Sequence, residues 1–276
     1  MTKTIIITGA SDGIGEAAAA ELVRGGHTVV VVGRSASKTE AVATKLGVPF
    51  YVADFADLSQ VRTLAAELLA AYPRIDVLAN NAGGIMGERA LTVDGNEKTF
   101  QVNHLAPFLL TTLLMPALVA GRATVIQTAS RAAYAFGRFN IDDLQNATSY
   151  APQRAYGNGK LANILFTREL QRRFGDQGIN AVSFHPGVVG TSFASDTTHV
   201  MRFFYHSPLK RLFTISPEKG ADQLVWLAQG TPGSTFEPGA YYESRAIATK
   251  VKPEMYDDEL ARVLWEKSEA LVAQTS

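Results

Sequence analysis

Short runs of consecutive apolar and β-branched residues recur along the chain, separated by longer stretches whose apolar positions have helical spacing. The runs predict strands over residues 4–8, 28–32, 50–53, 77–80, 124–128 and 180–185, with a last strand over 239–243. Helical patterns cover 14–24, 59–71, 96–118 and 154–174, and a final helix spans 257–273. The strands are apolar on successive rather than alternating positions, as in parallel sheets covered on both faces. Strand–helix alternation of this kind predicts an α/β fold, a doubly wound parallel sheet flanked by helices. Ligands in such sheets bind beyond the carboxyl ends of the strands, so the loops there are where chemistry is expected.

Composition narrows the function classes. The 276 residues, 46% hydrophobic and 19% charged, read as one domain over 1–276 without repeat or linker. Within it, strand–helix alternation fills about 1–190, a stretch rich in aromatic residues follows over 191–216, and the last strand and helices fill 217–276. Lys plus Arg equals Asp plus Glu at 26 each, with none of the basic excess that binds nucleic-acid phosphates. Cysteine is absent, which removes disulfides and thiolate chemistry and fits a cytoplasmic setting. No apolar run is long enough for a membrane span. The five histidines lack ligand spacing, so no metal is expected.

The first strand runs into Thr8-Gly9-Ala10-Ser11-Asp12-Gly13-Ile14-Gly15 and then a helix. Glycines there allow a tight turn and bring backbone N–H groups to a pyrophosphate at the positive helix end. No Lys-Ser/Thr pair follows, which argues against a P-loop. The second strand ends Gly33-Arg34-Ser35 with no acid for a ribose 2′-hydroxyl. Arg34 suits a 2′-phosphate, so NADP(H) is expected over NAD(H), with Ser11, Ser35 and Lys38 assisting. Tyr156 and Lys160 stand at i and i+4 on one helix face. An ammonium beside a phenol lowers its pKa and makes it a general acid at neutral pH.

These motifs resemble the short-chain dehydrogenase/reductase family, with its single-domain Rossmann-type fold. The resemblance rests on TGASDGIG at 8–15, Asp54, NNAG at 80–83, Asn103, Ser130, Tyr156 with Lys160, and His185-Pro186-Gly187 leading to Thr191. It covers about residues 4–191. VNHLAPFLLT, YGNGKLANILFTREL and SFHPGVVGTSF further resemble its retinol dehydrogenase-like subgroup, as does the segment from Ile215 to the C-terminus. The resemblance implies an oxidoreductase that interconverts a carbonyl and an alcohol on an apolar substrate. In it, Tyr156 is the general acid/base, Lys160 holds the nicotinamide ribose, Ser130 bonds the substrate oxygen, and Asn103 positions a water beside Lys160. Gly9, Ser11, Asp12, Gly13, Ile14 and Gly15 would cradle the pyrophosphate, with Asp54 and Phe55 at the adenine. Asn81, Ala82 and Gly83 would line the ribose, and Pro186, Gly187, Val188, Val189 and Thr191 the carboxamide.

Some positions depart from the family pattern. Gly159 stands where relatives commonly carry serine, Ala129 where a first serine often precedes the catalytic one, and Ala106-Pro107 where Gly-His is usual. Pro107 is expected to kink its helix. Residues 192–216 carry Met201, Phe203, Phe204, Tyr205, Leu209, Leu212 and Phe213, an apolar set suited to a substrate lid or to a helix packed on the core. Asp142-Asp143 reads as a turn or cap. Members of the family commonly form homodimers through the helix bearing Tyr156, while the insertion before Tyr156 stands to obstruct that face, so the oligomeric state stays open. Two alternatives remain open: a redox-silent NADP-binding regulator, and a carbon–carbon double-bond reductase of the same fold.

Overall fold

A computed structural model describes residues 2–187 and 216–273. The apolar runs pair as β1 (Thr4–Thr8), β2 (Thr28–Gly33), β3 (Phe50–Val52), β4 (Val77–Asn80), β5 (Thr124–Thr128), β6 (Asn180–His185), β7 (Tyr241–Glu243) and β8 (Ala246–Ile247). Their order across one sheet is β3-β2-β1-β4-β5-β6-β7-β8. All pairings are parallel except the last, where Tyr242 faces Ile247 across an antiparallel turn. The order reverses between β1 and β4, which opens a crevice at their carboxyl ends.

Continuous apolar runs follow from burial on both faces. Ile5 and Ile7 face one core, shared with Ala18, Leu22 and Leu224. Ile6 faces the other, with Leu64, Leu105, Phe108, Leu161 and Trp265. The first core is covered by α1 (Gly13–Arg24) and α9 (Pro217–Gln229). The second is covered by α3 (Leu58–Ala71), α5 (Ala106–Leu113), α8 (Pro152–Phe174) and α10 (Asp258–Ala273). Each fully buried Ile or Leu contributes about 2 kcal/mol over an exposed one, enough to fix which face of each strand goes inward.

The predicted helix over 96–118 is instead broken twice. It runs as α4 (Lys98–Phe100), a five-residue π turn (Gln101–Leu105), α5, and α6 (Met115–Gly121), with a 67° bend before α6. Proline causes both interruptions. Pro107 cannot donate to the carbonyl four residues back, and the helix widens just before it; Pro116 stands in the first turn of α6. Among the described residues no single helix is long and apolar enough to cross a membrane.

Two helices went unread in the sequence. α2 (Ala36–Leu46) buries only Thr39, Val42 and Ala43, so its apolar stripe is faint. α9 begins at a Ser216 cap with Pro217 behind it and buries Ala221, Leu224, Leu227 and Ala228. The short α7 (Ala132–Ala135) follows β5. Asp143 closes a turn by accepting from the N–H groups of Ala147 and Thr148, as its sequence predicts.

Candidate active site

The loops after β1, β2, β4, β5 and β6 enclose one cleft of about 560 Å³. At its outer end lie Gly9, Ser11, Asp12, Gly13 and Ile14 from the glycine-rich turn, with Arg34, Ser35 and Lys38 after β2. Asp54 and Phe55 follow β3, and Asn81, Ala82 and Gly83 follow β4. At the inner end lie Ser130, Tyr156, Lys160, His185, Pro186 and Gly187. Gly15 is buried behind the turn, where a Cβ would stand 2.3 Å from the Gly9 carbonyl oxygen. Val188, Val189 and Thr191 lie outside the described residues, as do Met201, Phe203, Phe204, Tyr205, Leu209, Leu212 and Phe213.

The turn is built to present backbone. Gly9 has φ +65°, and a Cβ on it would stand 2.7 Å from the Cα of Ala82, so only glycine lets the two loops meet. Asp12 precedes α1 with no side-chain cap bond, which leaves the first-turn N–H groups of the helix to the cleft. Asn81 lines the cleft and also braces it. Its Nδ2 donates to the carbonyls of Thr8 and Gly9 at 3.1 and 3.2 Å, clamping the end of β4 to the turn. Thr8, which sequence reasoning passed over, completes the clamp: its hydroxyl accepts from the backbone N–H groups of Asn81 and Ala82.

Arg34 is exposed at the mouth, and Lys38 pairs loosely with Asp12 at 3.7 Å. Asp54 is tied down locally: its carboxylate accepts from the Ala56 N–H at 2.9 Å.

Tyr156 and Lys160 are both buried on α8, with the ammonium 5.6 Å from the centre of the phenol ring. Lys160 Nζ donates to the Thr128 carbonyl at 2.9 Å. Burial pushes its pKa down to about 7. Ser130 Oγ accepts from the Ala132 N–H at 3.1 Å, which starts α7 and holds the hydroxyl at the cleft. Asn103 sits on the π turn, fully buried. Its Nδ2 donates to the carbonyls of Gly84 and Thr99, and its Oδ1 accepts from the Gly84 N–H at 3.1 Å. The side chain expected to position a water also ties the loop after β4 to the π turn and α4. A Cβ on Gly83 would stand 2.5 Å from that Oδ1 and 3.0 Å from Lys160 Nζ.

Two glycines of α8, Gly157 and the Gly159 that departs from the family pattern, have packing reasons. A Cβ on Gly157 would meet the Ala132 carbonyl at 2.7 Å and the Gly137 nitrogen at 2.8 Å. One on Gly159 would press on Asn103 Cβ at 3.2 Å. His185 is buried at the end of β6, with burial pushing its pKa down to about 4. Next to it, Arg131 forms an ion pair with Glu243, joining the Ser130 loop to β7. Ile85, Met86, Ala135, Phe136 and Gln153 complete the cleft wall, and only their position in the fold reveals it.

A glycine-rich turn, a switch-point crevice and a Tyr–Lys pair at its inner end form the cradle of a nicotinamide dinucleotide. The sequence profile of the short chain dehydrogenases matches residues 3–201. The chain belongs to the short-chain dehydrogenase/reductase family. Within it the chain falls in the retinol dehydrogenase-like group. It is 42% identical to DnrU of Streptomyces sp. (strain C5), named a daunorubicin C-13 ketoreductase, over 99% of this chain and 94% of that protein. It is 36% identical to human retinol dehydrogenase 14, over 98% and 86% of the two chains. Among solved structures, an uncharacterized protein from Mycobacterium paratuberculosis superposes with a TM-score of 0.77 at 34% identity, covering 98% of this chain and 93% of the other. Members of the family bind NAD or NADP, and the cleft has the glycine turn and the uncapped helix start to hold either.

Proposed function

We propose that this short-chain dehydrogenase/reductase is an NADP(H)-dependent enzyme that interconverts a ketone or aldehyde and its alcohol on a small to medium apolar substrate. The observation that carries the reading is the meeting of Tyr156, Lys160 and Ser130 at the inner end of the cleft that has Arg34 at its outer end, with Asn103 buried behind Gly83. Ile85, Met86, Ala135 and Phe136 make the substrate side apolar. The names of the two relatives, a ketoreductase and a retinol dehydrogenase, both denote an alcohol–carbonyl pair.

The bound cofactor supplies or accepts the hydride. Tyr156 gives its phenolic proton to the carbonyl oxygen during reduction and takes it back from the alcohol in the reverse direction. Lys160 holds the nicotinamide ribose and favours the tyrosinate by its charge. Ser130 donates to the substrate oxygen, and Asn103 keeps the loop after β4 and the lysine in register. Arg34 reads the 2′-phosphate with its fork of donors, helped by Ser35 and Lys38. A cytoplasmic setting is part of the same proposal.

NADPH and NADH oxidation measured against a panel of apolar ketones and aldehydes tests the reading. Tyr156→Phe is expected to lower kcat on the order of 10³-fold while cofactor affinity stays within about twofold. Arg34→Ala is expected to weaken NADPH on the order of 10–100-fold and to leave NADH nearly unchanged. Full activity in the phenylalanine variant would overturn the mechanism. Equal loss of both cofactors in the alanine variant would remove Arg34 as the phosphate reader. Cofactor binding without turnover would favour the redox-silent regulator.

A further inference from the structure

Behind the Tyr156–Lys160 face, buried polar groups form a second line that the proposed chemistry does not use. Asn163, three residues after Lys160 on α8, is 2% exposed. Its Nδ2 donates to the Thr128 carbonyl at 3.5 Å, the same oxygen that accepts from the Lys160 ammonium. Its Oδ1 is buried without a formed hydrogen bond. Nδ1 of His104, on the π turn beside Asn103, is buried in the same condition. Asn163 raises the proton affinity of that ring against the lowering by burial, so the two side chains are neighbours. On its other side, His104 Nε2 lies 2.9 Å from Ser268 Oγ on α10. That serine is in turn 2.8 Å from the Leu264 carbonyl.

Complete burial keeps the His104 ring neutral at neutral pH, with its pKa pushed down to about 4. A neutral imidazole has one N–H. We assign it to Nδ1, because that tautomer gives Asn163 Oδ1 a donor and leaves Nε2 to accept the single Ser268 hydroxyl proton, which then leaves the Leu264 carbonyl to its own bond within α10. The other tautomer leaves both orphaned atoms facing each other as acceptors. The line then reads Ser268, His104, Asn163, Thr128 carbonyl, Lys160.

From this line we infer that His104 and Asn163 are positioning residues, which fix the Thr128 carbonyl and through it the ammonium of Lys160 from the side of the C-terminal helix. The inference rests on the proposed role of Lys160 at the nicotinamide ribose and beside Tyr156. A lone carbonyl fixes the direction of an ammonium only as well as the carbonyl itself is held. The second donor, itself anchored through His104, supplies that hold without touching substrate or cofactor.

The test combines NADPH and NADH binding, followed by nucleotide fluorescence, with steady-state reduction of an apolar ketone. The full-length parent is compared with Asn163→Leu, His104→Phe and His104→Gln. The Leu and Phe variants are expected to lower kcat on the order of tenfold. They weaken both nucleotides several-fold and in parallel, because the adenosine end is untouched, and the KM for the ketone stays unchanged. His104→Gln, whose amide offers an N–H toward Asn163, recovers most of the loss.

Parental nucleotide binding and kcat in folded Asn163→Leu overturn the inference. So does a loss in His104→Phe that glutamine fails to recover, or one that appears chiefly in the ketone KM. If the larger changes prevent folding, Ser268→Ala deletes a single oxygen and must shift binding and kcat in the same direction, parental values again overturning the inference. An inactive parent would count against the reductase reading alone, since the binding measurements still report the position of Lys160.

Discussion

Lys160 combines burial with one neutral hydrogen-bond acceptor among the described residues, and that has a stability consequence. Its ammonium is 1% exposed and bonds a carbonyl, with desolvation as the cause of its lowered pKa. Between about pH 7 and the ordinary lysine value of 10.5, the unfolded chain carries a proton that the folded one has released. Stability therefore rises with pH across that window, and the cost of burying the charge is fully present below it. Lys160→Met is expected to stabilise the protein by about 2 kcal/mol at pH 6, less at pH 9, and to abolish turnover. Denaturant unfolding at the two pH values measures this; a variant less stable than the parent at pH 6 would contradict it. The residues at the site were legible in sequence where one motif carries them, as with Tyr156 and Lys160. Asn163 and His104 were not, because their partnership crosses from α8 to the π turn and no local spacing announces it.

At the scale of elements, the contact between α7 and α8 has no room to spare. A methyl group at Gly157 would reach backbone atoms of Ala132 and Gly137, and backbone cannot swing aside as a flexible side chain can. Gly157→Ala is expected to destabilise by about 1–3 kcal/mol. It should also raise the KM for the carbonyl substrate, because α7 leads into Phe136 at the cleft wall. Unfolding curves and initial rates measure the two effects, and a variant with parental stability would show that the helices can separate without cost. Seven of the eight strands were legible to within a residue or two, since continuous apolar runs leave few alternatives; β8, two residues long after a tight turn, was not. Helices were legible where their stripe was strong. The 96–118 reading failed because apolar periodicity continues through Pro107 and Pro116 while the backbone cannot, and α2 was missed because only three of its residues turn inward.

For the molecule as a whole, the helix that bears the site is sheathed by the chain's own end. α10 lays Trp265 against Phe108, Phe166 and Phe174, and Arg173 stacks on the same indole. Arg168 adds an ion pair to Asp258. Residues 155–167 of α8 are buried without interruption. The homodimer that the family resemblance implied would need this face, and α10 already covers it. We expect a monomer in sedimentation velocity at micromolar concentration; a dimer would require another surface. No sequence pattern distinguished these cases, because an amphipathic terminal helix packs equally well on its own chain or on another's.

The Arg131–Glu243 pair bears on when the site comes into being during synthesis. The glycine turn and the Tyr–Lys helix are encoded early, and a growing chain has made all four proposed catalytic side chains once Lys160 emerges. The Ser130 loop, however, is moored to β7, and the wall of the cleft at His185 is moored to β6 beside it. Those strands pair edge to edge in parallel, and each waits for a crossover to be completed before it can dock. A nascent chain thus carries its chemistry long before it can use it, and cofactor capture becomes a late event, tied to arrival of the C-terminal third.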